Sequence, residues 1–207
     1  MHVIGWMVLA GSLASASSAV TQEGHKQTDR LIKRADEALR SIGEAKEQLQ
    51  TTLAIYNSIF KGGGNTRKIY RDLTKAIEGT EKRREDVRKK VAEMEEEAHK
   101  FFAEWTESLD TIGSEGLRQR SKERLDKTRV RYGEILTEGR RAGAELEPFI
   151  GGLRDQVVYL GYDLNPNAVS SLDADAEKLN VQAKSLFAGI EKIESDISDY
   201  IVSLKPE

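Results

Sequence analysis

Residues 70–112 read YRDLTKAIEGTEKRREDVRKKVAEMEEEAHKFFAEWTESLDTI, and their spacing decides the fold. Tyr70, Ile77, Arg84, Val91, Ala98, Trp105 and Ile112 recur every seven residues, and Leu73, Thr80, Val87, Met94, Phe101 and Ser108 follow the first six of them by three. A 3-4 alternation sustained this long keeps one apolar seam turned to a partner helix and imposes a left-handed supercoil.

The same spacing continues on both sides. Upstream, Thr28, Ala35, Ile42, Leu49 and Tyr56 share one heptad position, while Leu31, Ala38, Ala45, Thr52 and Ile59 share the other, which predicts a first helix from about His25 to Phe60. Lys61-Gly62-Gly63-Gly64-Asn65 stops it, because successive glycines favour positive φ over helix. Asn65 or Thr66 caps helix two, Gly113 ends that helix, and Ser114 caps helix three. Leu125, Tyr132, Gly139, Leu146, Leu153 and Leu160 then mark helix three, with Ser121, Thr128, Ile135, Ala142, Phe149 and Gln156 interleaved. Pro148 falls inside this register and Gly151-Gly152 loosen the same place, which predicts a kink and no chain reversal. Asn165-Pro166 opens helix four, whose seam holds Val169, Ala176, Ala183, Ile190, Ile197 and Leu204, and Lys205-Pro206 end it.

Short connections force neighbouring helices antiparallel. The expected architecture is all-α: an elongated up-down-up-down four-helix bundle with coiled-coil packing, formed as a single domain over residues 20–207. Three prolines, 32% charged and 6% aromatic residues suit long solvated helices better than a β fold. A net charge of -3 calls for neither nucleic acid nor an anionic membrane. The absence of cysteine excludes disulfides, thiolate metal sites and a lipid-modified N-terminal cysteine.

Residues 1–19 contain no Lys, Arg, Asp or Glu, an apolar run spans Val3 to Ala14, and small residues close the segment. This reads as a secretory signal peptide cleaved between about Ser17 and Val20, with the terminal amine and His2 in place of a basic leader. The competing reading is a buried N-terminal helix. A spanning anchor needs about 20 apolar residues. The expected location is therefore the periplasm, with no stable membrane span after cleavage.

Few residues suggest chemistry. Glu96-x-x-His99 matches one fragment of a di-iron bundle, but no second copy exists, and Ala98 on the seam turns His99 outward. Arg118, Arg120, Lys122, Arg124, Lys127, Arg129 and Arg131 alternate around helix three, interrupted by Glu123 and Asp126. Nucleic-acid binding would want one basic face with stacking aromatics, so inter-helix salt bridging to acids such as Glu93, Glu95, Glu96 and Glu97, or a solvated face, is expected instead. Ser108, Ser121 and Thr128 lie on seams without an activating base, and Gly62–Gly64 lacks the ending of a phosphate loop. Arg84 and Thr80 interrupt a seam as register devices. The expectation is a protein without enzymatic activity, metal or cofactor.

The nearest approach to a functional surface is an overhang. Pairing outward from Gly62–Gly64 sets His25 level with about Phe101, and pairing back from Asp163–Asn165 sets Leu204 level with about Arg124. Residues from about 102 to 123 then protrude as a helix 2–helix 3 hairpin tip, roughly 15 Å long. It holds Phe102, Trp105, Leu109, Ile112 and Leu117, an apolar set wider than one partner helix covers. These five are the candidate partner-binding residues, with Trp105 as anchor; the competing reading is that residues 20–24 or the last residues of the chain fold over them as ordinary core.

Ala45 to Leu49, Phe101 to Leu109, Leu117 to Tyr132, and Glu147-Pro148-Phe149 through Leu153-Arg154-Asp155-Gln156-Val157 to Asn165 and Ala168 to Leu172 resemble domain of unknown function 2959. That bacterial envelope family has no assigned activity, and the resemblance spans roughly residues 30–204. It implies an exported helical protein; members often carry a lipobox cysteine, which this chain lacks. The expected function is binding or scaffolding of other envelope proteins through the tip, with self-association as a further outcome. A small-molecule or metal-binding bundle is the alternative, to be recognised by inward polar residues around a pocket.

Overall fold

The computed structural model describes the backbone of residues 13–61 and 65–205, with side chains from residue 24 onward. Every regular element among the described residues is helical: α1 (Leu13–Ser58), α2 (Thr66–Ser108), α3 (Glu115–Tyr162), α4 (Pro166–Ser170) and α5 (Asp173–Leu204), with a 3-10 turn at Leu109–Thr111 after α2. At about 1.5 Å per residue, α3 is roughly 70 Å long.

Side-chain pairs fix the register. Arg34 meets Glu93 at 2.9 Å, Arg83 meets Glu44 at 2.6 Å and Gln27 donates to Glu104 at 2.5 Å, so α1 and α2 run antiparallel. Asn57 and Asn180 exchange amide hydrogen bonds of 2.8 and 2.9 Å, and Lys46 meets Glu194 at 2.5 Å, setting α5 antiparallel to α1. Arg140 reaches Glu95 at 3.3 Å and Arg129 donates to Thr106 at 3.1 Å, which sets α3 antiparallel to α2. Arg131 and Asp199 bring α3 and α5 within 3.9 Å. The heptad positions hold their promise, since Leu31, Leu49, Leu73, Met94, Leu125, Leu153, Leu186 and Ile197 are all buried.

The buried side chains form two clusters. Towards the Gly62–Gly64 end, Tyr56, Leu73, Phe149, Leu160 and Leu179 pack together. Towards the α2–α3 turn, Leu31, Met94, Phe101, Phe102, Tyr132 and Tyr200 do so. Thr80 is buried on the seam and hydrogen-bonded there. Its hydroxyl meets that of Thr52 at 2.9 Å, and both donate to the Ala76 carbonyl, 3.1 Å from each.

Several boundaries differ from expectation. α1 begins at Leu13 rather than near His25, so the expected two-helix overhang of residues 102–123 is corrected: with Gln27 level with Glu104, the helical backbone of residues 13–24 continues alongside the end of α2. α2 stops at Ser108, where the chain tightens into the 3-10 turn. Asn65 caps α2, accepting from the Lys68 amide at 3.1 Å; residues 62–64 lie outside the described residues. α3 continues through Pro148 without a chain reversal. A Cβ at Gly152 would stand 3.0 Å from Leu179 Cδ2, so this glycine permits close approach of α5.

Helix four is divided. Asn165 caps it, accepting from the Ala168 amide at 2.9 Å with Pro166 behind it, yet α4 ends at Ser170. Ser171 Oγ donates back to Ala168 O at 2.7 Å, competing with the helical backbone, and α5 restarts at Asp173. Asp173 and Asp175 sit in its first turn, where the helix dipole favours them.

Candidate partner-binding tip

The α2–α3 turn is built from a 3-10 turn that cannot continue a helix. Ile112 is extended, and its carbonyl accepts from Arg118 Nε at 3.2 Å and Nη2 at 3.0 Å, which pins the start of α3 beneath the turn. Trp105 Nε1 donates to Ser121 Oγ at 3.0 Å and so ties the two helices together.

The five tip residues divide by burial. Phe102 is core, only 7% exposed, with its ring edge-on to Phe101 (5.3 Å) and Tyr132 (5.6 Å) and with Arg129 over its face at 5.4 Å. Trp105, Leu109 and Ile112 are half-buried, and the first two pack against the same cluster. Leu117 is 54% exposed. Beside them run the acids Glu104, Glu107 and Asp110 on the α2 side and the bases Arg118, Arg120 and Lys122 on the α3 side.

The basic segment finds local partners. Lys122 meets Asp126 at 2.8 Å, Arg118 meets Glu115 at 3.4 Å and Arg120 donates to Gly116 O at 3.2 Å. The acids expected opposite it lie elsewhere, because the register puts Glu95 against Arg140 and Glu93 against Arg34. His99 is exposed, as its position beside the seam requires. Glu96 is held by Lys100 at 2.7 Å, and that hydrogen bond lowers the carboxyl pKa. No group of three or more His, Asp or Glu among the described residues is placed to hold a metal.

One feature escaped the sequence reading. Between α1, α2, α3 and α5, where the two clusters meet, lies a cavity of about 610 Å³. Its α3 wall is bare at Gly139 and Gly143, where an added Cβ would meet nothing within 4 Å. Gly139, Ala142 and Gly143 fall three and four residues apart along α3 and line it together, but that spacing alone does not separate open space from close approach.

The family described as "Protein of unknown function (DUF2959)" matches residues 17–204. The chain belongs to that family. No curated protein and no solved structure matches it. The DUF2959 match leaves out the first sixteen residues and covers every heptad of the four long helices. No helix among the described residues of this DUF2959 protein is long and apolar enough to cross a membrane.

Proposed function

We propose that this DUF2959 protein is an exported, periplasmic four-helix bundle that acts without catalysis, binding or scaffolding another envelope protein through the α2–α3 tip. The observation that carries the reading is the exposure of Leu117 beside the half-covered Ile112 at the turn. The antiparallel register of α1 with α2 and α5, and of α3 with both, supports an up-down-up-down order. The seam hydroxyls are spent on packing: Ser108 donates to Trp105 O at 2.7 Å and Thr128 to Arg124 O at 2.8 Å. The start of the family match at residue 17 supports removal of a leader near that point. The partner is a protein presenting a small apolar patch edged by both signs of charge, complementary to the acidic and basic flanks of the tip.

Phe102 belongs to the core and is no part of this surface, so the test rests on outer residues. A photo-crosslinking amino acid at Ile112, in intact cells, is expected to give a discrete adduct that Leu117→Glu abolishes. The same crosslinker at Tyr162, 92% exposed at the opposite end, gives none. N-terminal sequencing of the same material finds a start between Ser17 and Val20. Adducts of equal strength at both ends, or none at Ile112, overturn the docking reading. A retained Met1 overturns export.

A further inference from the structure

We propose that the central cavity binds a single-chain anionic amphiphile, with the aliphatic tail between the helices and the head group at an arginine-lined mouth. This site is independent of the tip. A volume of about 610 Å³ falls within the range of about 300–1,000 Å³ typical of ligand pockets.

The shape favours a chain. The lining runs from Thr80 to Glu95 along α2, which at about 1.5 Å per residue is a slot roughly 20 Å long. The chemistry favours a saturated tail. Ile42, Leu49, Val91, Ile135, Ile190 and Ile193 give aliphatic walls, and no aromatic ring lines the cavity on which a planar ligand would stack. Gly139 and Gly143 line the slot from α3 without a side chain.

The charge of the mouth selects the head. Arg84, Arg88 and Arg140 line the slot along its length together with Glu95 and Glu147, an excess of one positive charge, and the head group is assigned to the Arg88 side. Arg140 is answered by Glu95 at 3.3 Å, and Arg84 Nη1 by Glu147. Arg88 has only a loose contact of 3.9 Å with Glu85, both side chains being 70% exposed. A carboxylate or phosphate at the mouth pairs with the Arg88 guanidinium, whereas a neutral hydroxyl head can hydrogen-bond there but brings no opposite charge.

The test uses the full mature protein and three probes: laurate, lysophosphatidylglycerol with a lauroyl chain, and dodecanol. All are titrated below their micellar or solubility limits by displacement of a fluorescent fatty acid. Saturable binding of the anionic probes is expected, at least tenfold tighter than dodecanol, and preference between the first two distinguishes a free fatty acid from a phospholipid head. Gly143→Leu, which fills the slot, should weaken both anions tenfold or more while leaving helicity intact. Arg88→Glu should weaken the anions and leave dodecanol unchanged. Non-saturable uptake, or binding unaffected by Gly143→Leu in a folded variant, overturns the cavity as the site. Equal binding of dodecanol and laurate overturns the anionic head.

Discussion

The two halves of the core are made from the same heptads and satisfy their polar groups differently. In the half near Gly62–Gly64, the buried polar groups find one another. Tyr56 donates to Gln156, Thr52 and Thr80 share the Ala76 carbonyl, and Asn57 and Asn180 exchange two hydrogen bonds between α1 and α5. In the half near the α2–α3 turn, burial is aromatic. Phe101, Phe102, Trp105, Tyr132 and Tyr200 form a chain of ring contacts 5.3 to 5.9 Å apart, and the Tyr132 and Tyr200 hydroxyls have no partner among the described residues. Paired polar layers fix register, because any slip leaves a donor or acceptor stranded. Rings have no such veto. The first half sets which residue faces which through paired buried groups, and the second relies mainly on ring contacts, with Gln27–Glu104 and Trp105–Ser121 as its inter-helix polar ties.

The largest expected effect comes from emptying the aromatic half. Phe102→Ala should cost about 3–5 kcal/mol, the range for a truncated buried aromatic. Because the cavity lies where the clusters meet, the loss should be unevenly shared. Hydrogen exchange should rise in the amides of residues 94–108 and 121–136 and stay low around Leu73 and Phe149. Equal loss of protection in both halves would break the comparison, making the core one cooperative unit.

How much of this was legible in the sequence depends on what sets each feature. The seams were legible because burial at every seventh residue is written directly in the chain, and so was the pairing of α1 with α2. His25 was placed level with about Phe101, and Gln27 does meet Glu104. The break after Ser170 was not legible, since serine hydroxyls turn back on the backbone only once the local geometry permits it. The set Phe102, Trp105, Leu109, Ile112 and Leu117 was found, but its sorting into core and surface needed the aromatic contacts of Tyr132 with Phe102 and Tyr200, which bridge α2, α3 and α5. The cavity was missed for a related reason. Glycine within a heptad pattern gives no sign of whether a neighbour approaches, as at Gly152, or leaves space, as at Gly143.

A smaller effect sharpens the contrast through single hydroxyls. Burial pushes the phenol pKa of Tyr56, Tyr132 and Tyr200 well up, so all three remain neutral. Tyr56→Phe strands the Gln156 carbonyl oxygen in the core and should cost about 1–3 kcal/mol. Tyr200→Phe removes a hydroxyl that has no partner among the described residues and should be neutral or slightly stabilising. Chemical denaturation of the two variants side by side measures the difference. Equal losses would mean that the two halves do not differ in polar satisfaction.

The smallest effect lies on the surface of the aromatic half, where charges supply part of the alignment its core lacks. Arg34, Glu37, Lys90 and Glu93 join α1 to α2 through contacts of 2.8 to 3.3 Å. The Arg34 hydrogen bond, with one from Lys90, holds the Glu37 carboxyl below its ordinary 4.5 against the opposing cost of desolvation. A depressed carboxyl contributes stability that is fully present above its unfolded pKa and is lost as pH falls through the folded one. The melting temperature should therefore drop on acidification below about 4.5, and Glu37→Gln should remove part of that drop. Exposed pairs are screened by salt, so the difference between wild type and variant should shrink in concentrated sodium chloride. A Glu37→Gln protein whose acid profile matches wild type at low salt would show that the network decorates the seam without aligning it.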